Sequence, residues 1–595
     1  MPNPRGIVDP VPRLFQGTWE GESKFVVGID IGITQSGVTF AFFEKGQEQA
    51  IQRVSHWPGQ EAQALASKIP TLVWYDGDKE AVSFGAEAYS SQAEEDAEDN
   101  GWSLAKHFKL HLHPESIRNE HGLTLDPLPH GVSLSRVYSD FLAYLIRHTQ
   151  SFFEDRVIDG KIIWQRHRSR MQFIITHPNG YGVREQAFLR TAATNAGLVT
   201  NATAASCVRF VTEAQASIHY CIYHTNLGER LQPGMKFALC DAGRSTVDST
   251  VYSVIARSPL ELEEARASAC VQAGGIFVNV AAEQFIQRAL TAAELHQDDI
   301  VDYAKRGVQD FEKNLKRQFS GSVEAKSVEV AGTRVNYPRS GIRRGLMSLE
   351  GATVRKFFDV CVNQITASVD EQIQGLNVSY ILLVGGFADS PYLRRVFRDR
   401  YEPRGCQIVL TNDSTSKAVA DGGVLWAAAC DLVSRASLFS WGIETSVVFD
   451  PNNPDHQERK EIAASPSWTI VPGQWQGLLR KACVLGIPLE DKHAGVTAPF
   501  TLEFPSSSVD FGKFQVDLYN YSGDDEPVWT RNKQGQLLER FHKAATIQAD
   551  LNNLRGALVP SITSGGILQW LLDFDVGIKF GDEELSACLE WNEKV

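Results

Sequence analysis

The sequence predicts an α/β protein of two lobes followed by a β-rich C-terminal module. Three observations predict it. Apolar strands run into glycine turns at three places: DIGIT at 30–34, DAGRSTVD at 241–248 and VGG at 384–386. Strand and helix patterns alternate between these turns up to about residue 433, the rhythm of an α/β layer. Beyond Ser434 the texture turns to strand-like alternation, as in PFTLEF at 499–504, FGKFQVDLYNY at 511–521 and WLLDFDVGIKF at 570–580, with turn signals such as PNNP at 451–454 between them.

A chain of 595 residues is longer than one core can serve. We divide it into an irregular, proline-containing leader (1–22), a first lobe (23–212), a second lobe that opens on a connecting helix (213–433) and a β-rich module (434–595). In the first lobe, Phe25–Ile31 is a strand, Gly32 opens a turn and Gly37–Phe43 is a second strand. The run AEEDAED at 93–99 reads as a solvated helix face or loop. Residues 133–155 have helical periodicity, Gln172–Thr176 is a short strand, and Gly182–Ala196 is a helix stopped at Gly197. The stretch 199–224 passes from strand to helix. In the second lobe, Phe237–Leu239 and Val247–Ser253 flank DAGRSTVD. A helical block covers about 275–320, a short strand pair lies near 323–337, and a helix lies near 348–374. Tyr380–Val384 is a strand, Ser390 caps a helix at Pro391–Arg398, Gln407–Leu410 is a strand, and Lys417–Val433 is a long helix.

Composition narrows the function classes. Fifty-eight Lys and Arg against 72 Asp and Glu leave a formal charge of −14, which opposes non-specific binding to a phosphate backbone, so no nucleic-acid partner is expected. No stretch of 18 uncharged apolar residues and no apolar leader core occurs, so no membrane partner is expected and the cytoplasm is the default compartment. The nine cysteines include no C-x-x-C pair, which argues against a zinc ribbon or redox pair.

The three glycine turns carry the chemistry. Asp30 ends an apolar strand, Gly32 turns it, and Thr34, Gln35 and Ser36 offer polar side chains and backbone donors, a cradle for phosphate oxygens. Asp241, Gly243, Thr246 and Asp248 repeat that logic. An acid in such a turn disfavours bare phosphate, but it can hold Mg²⁺ through water, and the ion bridges to the phosphates. Two such hairpins facing across a cleft would clamp a triphosphate from both sides. The third turn, Gly385-Gly386, leaves side chains absent where a flat base or ribose could approach. No G-x-x-x-x-G-K-[ST] and no G-x-G-x-x-G after a strand is present. In the cluster His107, His111 and His113, the i,i+4 pair His107 and His111 could share a helix face and a metal, but ordinary surface or core roles fit these histidines better.

On these residues the chain resembles the actin-like ATPase fold, a duplicated ribonuclease-H-like architecture with inserted subdomains. Within it, the chain looks like the nucleotide-binding domain of the seventy-kilodalton heat-shock chaperones, in a divergent branch similar to the twelfth subfamily and of fungal type. The resemblance covers about residues 24–433. DIGIT matches the family's D-x-G-T-T and DAGRSTVD its D-x-G-G-G-T-x-D. VGG matches its adenosine loop, EAQAS at 213–217 its connecting helix, and GGIFVN at 274–279 a further element. The resemblance implies that ATP or ADP with Mg²⁺ is bound. Asp30 and Asp241 would hold the metal through water, Glu213 would organise its waters, and Thr246 would touch the γ-phosphate or its water. Gly32, Ile33, Thr34, Gln35, Gly243, Arg244 and Ser245 would line the phosphates, with Gly274 and Gly275 beside them. Lys316, Arg317 and Ser320 would hold the adenosine from one side, and Gly385, Gly386, Phe387 and Asp389 from the other. Lys109 is the candidate for the family's catalytic lysine, with Lys106 second and a solvated role for either as the alternative.

The chain departs from the family at four points. Ile33 replaces a threonine. Arg244 and Ser245 replace glycines, so Arg244 could neutralise transferring phosphate, obstruct the γ-phosphate position or point to solvent. Glu312 is one residue out of register, and Asp389 stands where an arginine would stack on the base. The expected activity is slow Mg²⁺-dependent hydrolysis of ATP serving as a conformational switch or chaperone-like factor. The alternatives are a nucleotide sensor or scaffold that does not hydrolyse, and a small-molecule kinase of the same superfold. The C-terminal module is expected to meet a client polypeptide or protein partner.

Overall fold

A computed structural model of the chain describes residues 13–63, 66–114, 125–225, 227–257, 260–292, 295–338, 341–410, 418–428, 432–436, 439–459, 462–465, 468–480, 484–485, 496–504, 513–562, 568–580 and 585–590. The chain divides into two compact units, Met1–Leu260 with Ser268–Asp431, and Glu261–Ala267 with Leu432–Val595. The whole is mixed α/β with several mixed sheets.

The first unit is built on two sheets of like construction. In one, the hairpin of strands Lys24–Ile31 and Gln35–Phe43 is antiparallel, and Gln172–His177 and then Val208–Thr212 add to it in parallel. In the other, the hairpin of Lys236–Ala242 and Val247–Arg257 is antiparallel, and Val378–Val384 and then Gln407–Leu410 add in parallel. Asp30 faces Gly37 across the first hairpin and Asp241 faces Asp248 across the second, so the two loops have equal length.

The central strand Lys24–Ile31 is buried on both faces, and this explains its continuous apolar run. Its period of two sorts the residues. Phe25, Val27 and Ile29 pack toward helix Leu134–Arg156, through Phe141, Leu145 and Phe153. Val26 faces the other way, with Ile174 and Val211, onto Val419 and Val424 of helix Ala418–Ala428. Gly28 shares that second face because a Cβ there would stand 2.4 Å from the Ala420 carbonyl oxygen.

Two insertions complete the first unit. The strands Leu72–Tyr75, Ala81–Phe84 and Ser103–Lys106 form a small sheet that leads into the single turn Lys109–Leu112. Strands Lys326–Glu329, Ile342–Arg343 and Leu346–Leu349 form another, beside helices Ile276–Thr291, Gln297–Asp310 and Gly351–Ile373.

Several sequence expectations need correction. The leader is not wholly irregular: Arg13–Thr18 pairs as an edge strand with Glu48–Arg53, while residues 1–12 lie outside the described set. The strand pair placed near 323–337 joins Lys326–Glu329 to Leu346–Leu349 instead, because Gly341 and Gly345 adopt positive φ and turn the chain late. Of the long helix expected over Lys417–Val433, Ala418–Ala428 is helical, Leu432–Ala436 is a strand, and 417 and 429–431 lie outside the described residues. The helix Ala418–Ala428 packs on the sheet that contains Lys24–Ile31.

In the second unit, one sheet runs in the order Ile462–Ser465, Trp468–Leu479, Ser440–Val448, Lys513–Tyr521, Phe541–Asp550. The other runs Val496–Phe504, Leu568–Phe580, Val559–Ile562, with Leu585–Glu590 also on Leu568–Phe580. Alternate residues Val516, Leu518, Leu572, Phe574 and Val576 share a core with Ile443. Among the described residues no helix is long and apolar enough to cross a membrane.

Candidate functional site

A cavity of about 820 Å³ opens in the first unit at the carboxyl ends of both central strands, the place where parallel-containing sheets leave room for ligands. Asp30 is the penultimate residue of its strand and Asp241 of its own. Both hairpins turn on a glycine for the same steric reason. A Cβ at Gly32 would meet the Gln35 carbonyl oxygen at 2.2 Å, and one at Gly243 would meet the Thr246 carbonyl oxygen at 2.8 Å. Around these acids the cavity wall includes Ile33, Thr34 and Gln35 from the first loop and Arg244, Ser245 and Thr246 from the second.

The second loop is clamped from below. The amides of Gly274, Gly275 and Ile276 donate to the carbonyls of Ser245, Gly243 and Arg244 at 2.8, 3.2 and 2.7 Å. Gly274 has to be glycine, because a Cβ would lie 2.2 Å from the Arg244 carbonyl carbon. Gly274 therefore supports the loop and is not part of the cavity wall, whereas Gly275 is. Gly385 is under a double constraint: its φ is +89°, and a Cβ would stand 2.3 Å from Asp241 Oδ1. Gly386, with no atom near its open face, lines the cavity beside Phe387 and Asp389.

Of the two lysine candidates, Lys109 is buried and lines the cavity, with its Nζ 2.7 Å from Glu213 Oε1. Burial works to lower its pKa, and Glu213, Asp30 and Asp248 more than reverse that, so the ammonium stays protonated. Lys106 turns to Asp126 at 2.9 Å. His107 Nδ1 also meets Asp126, His111 Nε2 meets the Asp126 backbone oxygen, and the His113 ring packs edge-on to Tyr181. The histidine run is thus absorbed by structure, and no group of three or more His, Cys, Asp or Glu placed to hold a metal occurs among the described residues.

The acids of the second hairpin act on one another. Burial, and then Glu213 and Asp248, push the Asp241 carboxyl up to about 8, against a hydrogen bond from Ser217 Oγ at 3.1 Å. Burial and Glu213 likewise raise Asp248. Asp248 Oδ1 and Ser245 Oγ are buried without a hydrogen-bond partner. Carboxyls that raise one another's pKa resist ionising together, and a cation among them would favour their charged forms. The donor set therefore fits a hydrated divalent ion at Asp241.

Arg244 lines the cavity and pairs with Glu312. Its φ is not positive, so loss of the two glycines strains no backbone. Its guanidinium meets Glu312 at 2.5 Å with about a third of the side chain exposed. Burial opposes the Glu312 carboxylate, but Arg244 and then Lys316 overcome it and hold its pKa below the usual value. The register slip of Glu312 is taken up by a π-helical turn, Phe311–Leu315, which accommodates one extra residue and leaves Glu312 on the cavity wall. Lys316 Nζ donates to the Gly275 carbonyl at 2.6 Å and to Asn279 Oδ1 at 2.8 Å, and burial followed by Arg244 lowers its pKa to about 8. Arg317 lines the cavity, whereas Ser320 is exposed and does not. Asp389 pairs with Arg394 at 2.6 Å.

Sequence reasoning overlooked Lys68 and Ser217. Lys68 pairs with Asp30 inside the cavity. No motif announces it, because the contact is made across a three-residue edge strand. Ser217 was in view, in EAQAS, but not its bond to Asp241.

No protein-family profile matches the chain. It is 22% identical over 509 residues to human heat shock 70 kDa protein 12B, covering 70% of this chain and 71% of that protein. It is 21% identical over 479 residues to human heat shock 70 kDa protein 12A, covering 67% and 69%, and 21% identical over 478 residues to the mouse 12A protein, with the same coverage. This distant similarity supports a seventy-kilodalton heat-shock-like relationship, with which the mixed α/β architecture is consistent.

Proposed function

We propose that the chain is an ATP-binding protein of the seventy-kilodalton heat-shock type, a slow Mg²⁺-dependent ATPase whose lobes act as a conformational switch in the cytoplasm. One observation carries the reading: Asp30 and Asp241 end equivalent strands of two like sheets, in glycine-turned hairpins of equal length, and enter one cavity with the Lys109–Glu213 pair and the Gly385-Gly386 turn. The like construction of the sheets supports a duplicated ribonuclease-H-like origin and the actin-like fold. Membership in a fungal branch of the twelfth-like subfamily belongs to the same proposal.

Mg²⁺, when bound, would neutralise phosphate charge and bring ordered water to the site. Asp241 would hold it through water, with Glu213 ordering neighbouring waters. Loop amides of 32–35 and 244–246 would orient the phosphates, the Gly243 amide being spent within its own turn on the Asp241 and Thr246 carbonyls. Lys109, fixed and kept charged by Glu213, would meet developing negative charge. The Thr246 hydroxyl would orient the attacking water. The open face of Gly386 would take the adenosine, with Arg317 opposite.

A second reading, a sensor that binds nucleotide without turnover, is favoured by Arg244, whose guanidinium is committed to Glu312. The C-terminal unit is the proposed surface for a client or partner. The test is ATP binding and phosphate release at controlled Mg²⁺: binding with release supports the ATPase, binding without release the sensor, and no binding removes both.

A further inference from the structure

Gly37 lies inside a strand, where glycine weakens the sheet and often marks the close approach of another group. The group is Lys68. Its Cα pairs with Gly37 across the edge strand Lys68–Pro70, and a Cβ at 37 would stand 3.0 Å from Lys68 Cδ and 3.2 Å from Cε. The stem runs over the bare glycine and delivers the ammonium to Asp30 Oδ2. Both side chains are about nine-tenths buried. The Lys68 backbone is fixed as well, because Gln60 Nε2 donates to its carbonyl at 3.0 Å.

The second hairpin makes the comparison. Opposite Asp241 it carries Asp248, where the first hairpin has Gly37 opposite Asp30. One hairpin thus has a second acid with an unpartnered oxygen, and the other has an empty position crossed by a lysine. A buried carboxylate needs a partner charge. Asp30 has one in direct contact, whereas Asp241 accepts from the Ser217 hydroxyl at 3.1 Å and the Lys109 ammonium, bonded to Glu213, acts on Asp248 only through space.

We propose that Lys68 is a tethered cation of the site, filling at Asp30 the place of a dissolved ion and leaving any divalent ion to the Asp241 side. On this proposal Asp30 and Asp241 do not share the metal. The purpose of this arrangement rests on the nucleotide reading, but its test does not. Thermal melting is followed in MnCl₂ without nucleotide for wild type, Lys68→Met, Gly37→Ala and Lys68→Met/Asp30→Asn. Lys68→Met frees Asp30 for an ion, so Mn²⁺ should raise its melting temperature by about 2–4 °C more than it raises wild type. Gly37→Ala pushes the stem aside with both charges kept, and should gain Mn²⁺ dependence in the same direction even if Lys68→Met does not fold. The double variant should lose the gain. Mn²⁺ responses equal to wild type in Lys68→Met, or in Gly37→Ala if that alone folds, would overturn the proposal. Calorimetric titration of the same proteins with ADP and Mg²⁺ decides the nucleotide reading separately.

Discussion

Asp241 sits where burial and two neighbouring acids make ionisation costly, and this has a consequence in solution. With its carboxyl raised to about 8 from an ordinary 3.8, the folded chain without a bound cation retains a proton that the unfolded chain releases. Between those values the folded state binds more protons, so stability falls as pH rises. Urea melts from pH 5 to pH 8 should show that fall, Asp241→Asn should flatten it, and a wild type that gains stability over this range would contradict the assignment. Arg244 is the other instructive residue. Because its guanidinium is held by Glu312, Arg244→Gly should leave phosphate release undiminished. A loss of release on the glycine substitution, seen in single-turnover assays, would mean that the guanidinium reaches the phosphates.

At the scale of elements, the glycine turns were readable because each combines an apolar strand, an acid or small residue, and a glycine that sterics demand. Gly385 is the sharpest case. Gly385→Ala meets both a positive φ and the Asp241 carboxylate, so a loss of about 2–6 kcal/mol is expected, from backbone strain and overpacking together. Equilibrium denaturation checks it, and a loss below 1 kcal/mol would show that the turn relaxes freely. Other elements were less legible for physical reasons. The edge strand Arg13–Thr18 lies in a proline-containing leader whose local pattern shows no strand, and its pairing with Glu48–Arg53 is a tertiary fact. Glu312 looked displaced because a helical count of residues has no place for a π-helical turn. Lys68 carried no signal of its own, since its meaning comes from Gly37 and Asp30. The lysine at 109 could be named but not separated from Lys106 until the fold turned one inward and the other toward Asp126.

Across the first unit, the two sheets are joined by a helix crossing that the sequence hardly shows. A Cβ at Gly422 would fall 1.8 Å from the Ala216 carbonyl oxygen, so helices Glu213–His224 and Ala418–Ala428 meet at their backbones. Beside the crossing, Asp421 is fully buried, accepts from Thr39 Oγ1 at 2.7 Å and pairs with Arg53 of the first sheet at 2.5 Å. Arg53→Met leaves that acid buried without its ion-pair partner, and should cost about 3–5 kcal/mol in denaturant unfolding. A near-neutral result would mean the pair does not tie the helix to the sheet. The most direct test of the account is Mg²⁺-dependent ATP binding by the full chain, measured beside Asp241→Ala. The account predicts saturable binding by wild type that Mg²⁺ strengthens and Asp241→Ala weakens at least severalfold. Binding that ignores both Mg²⁺ and Asp241, or no binding at all, would contradict it.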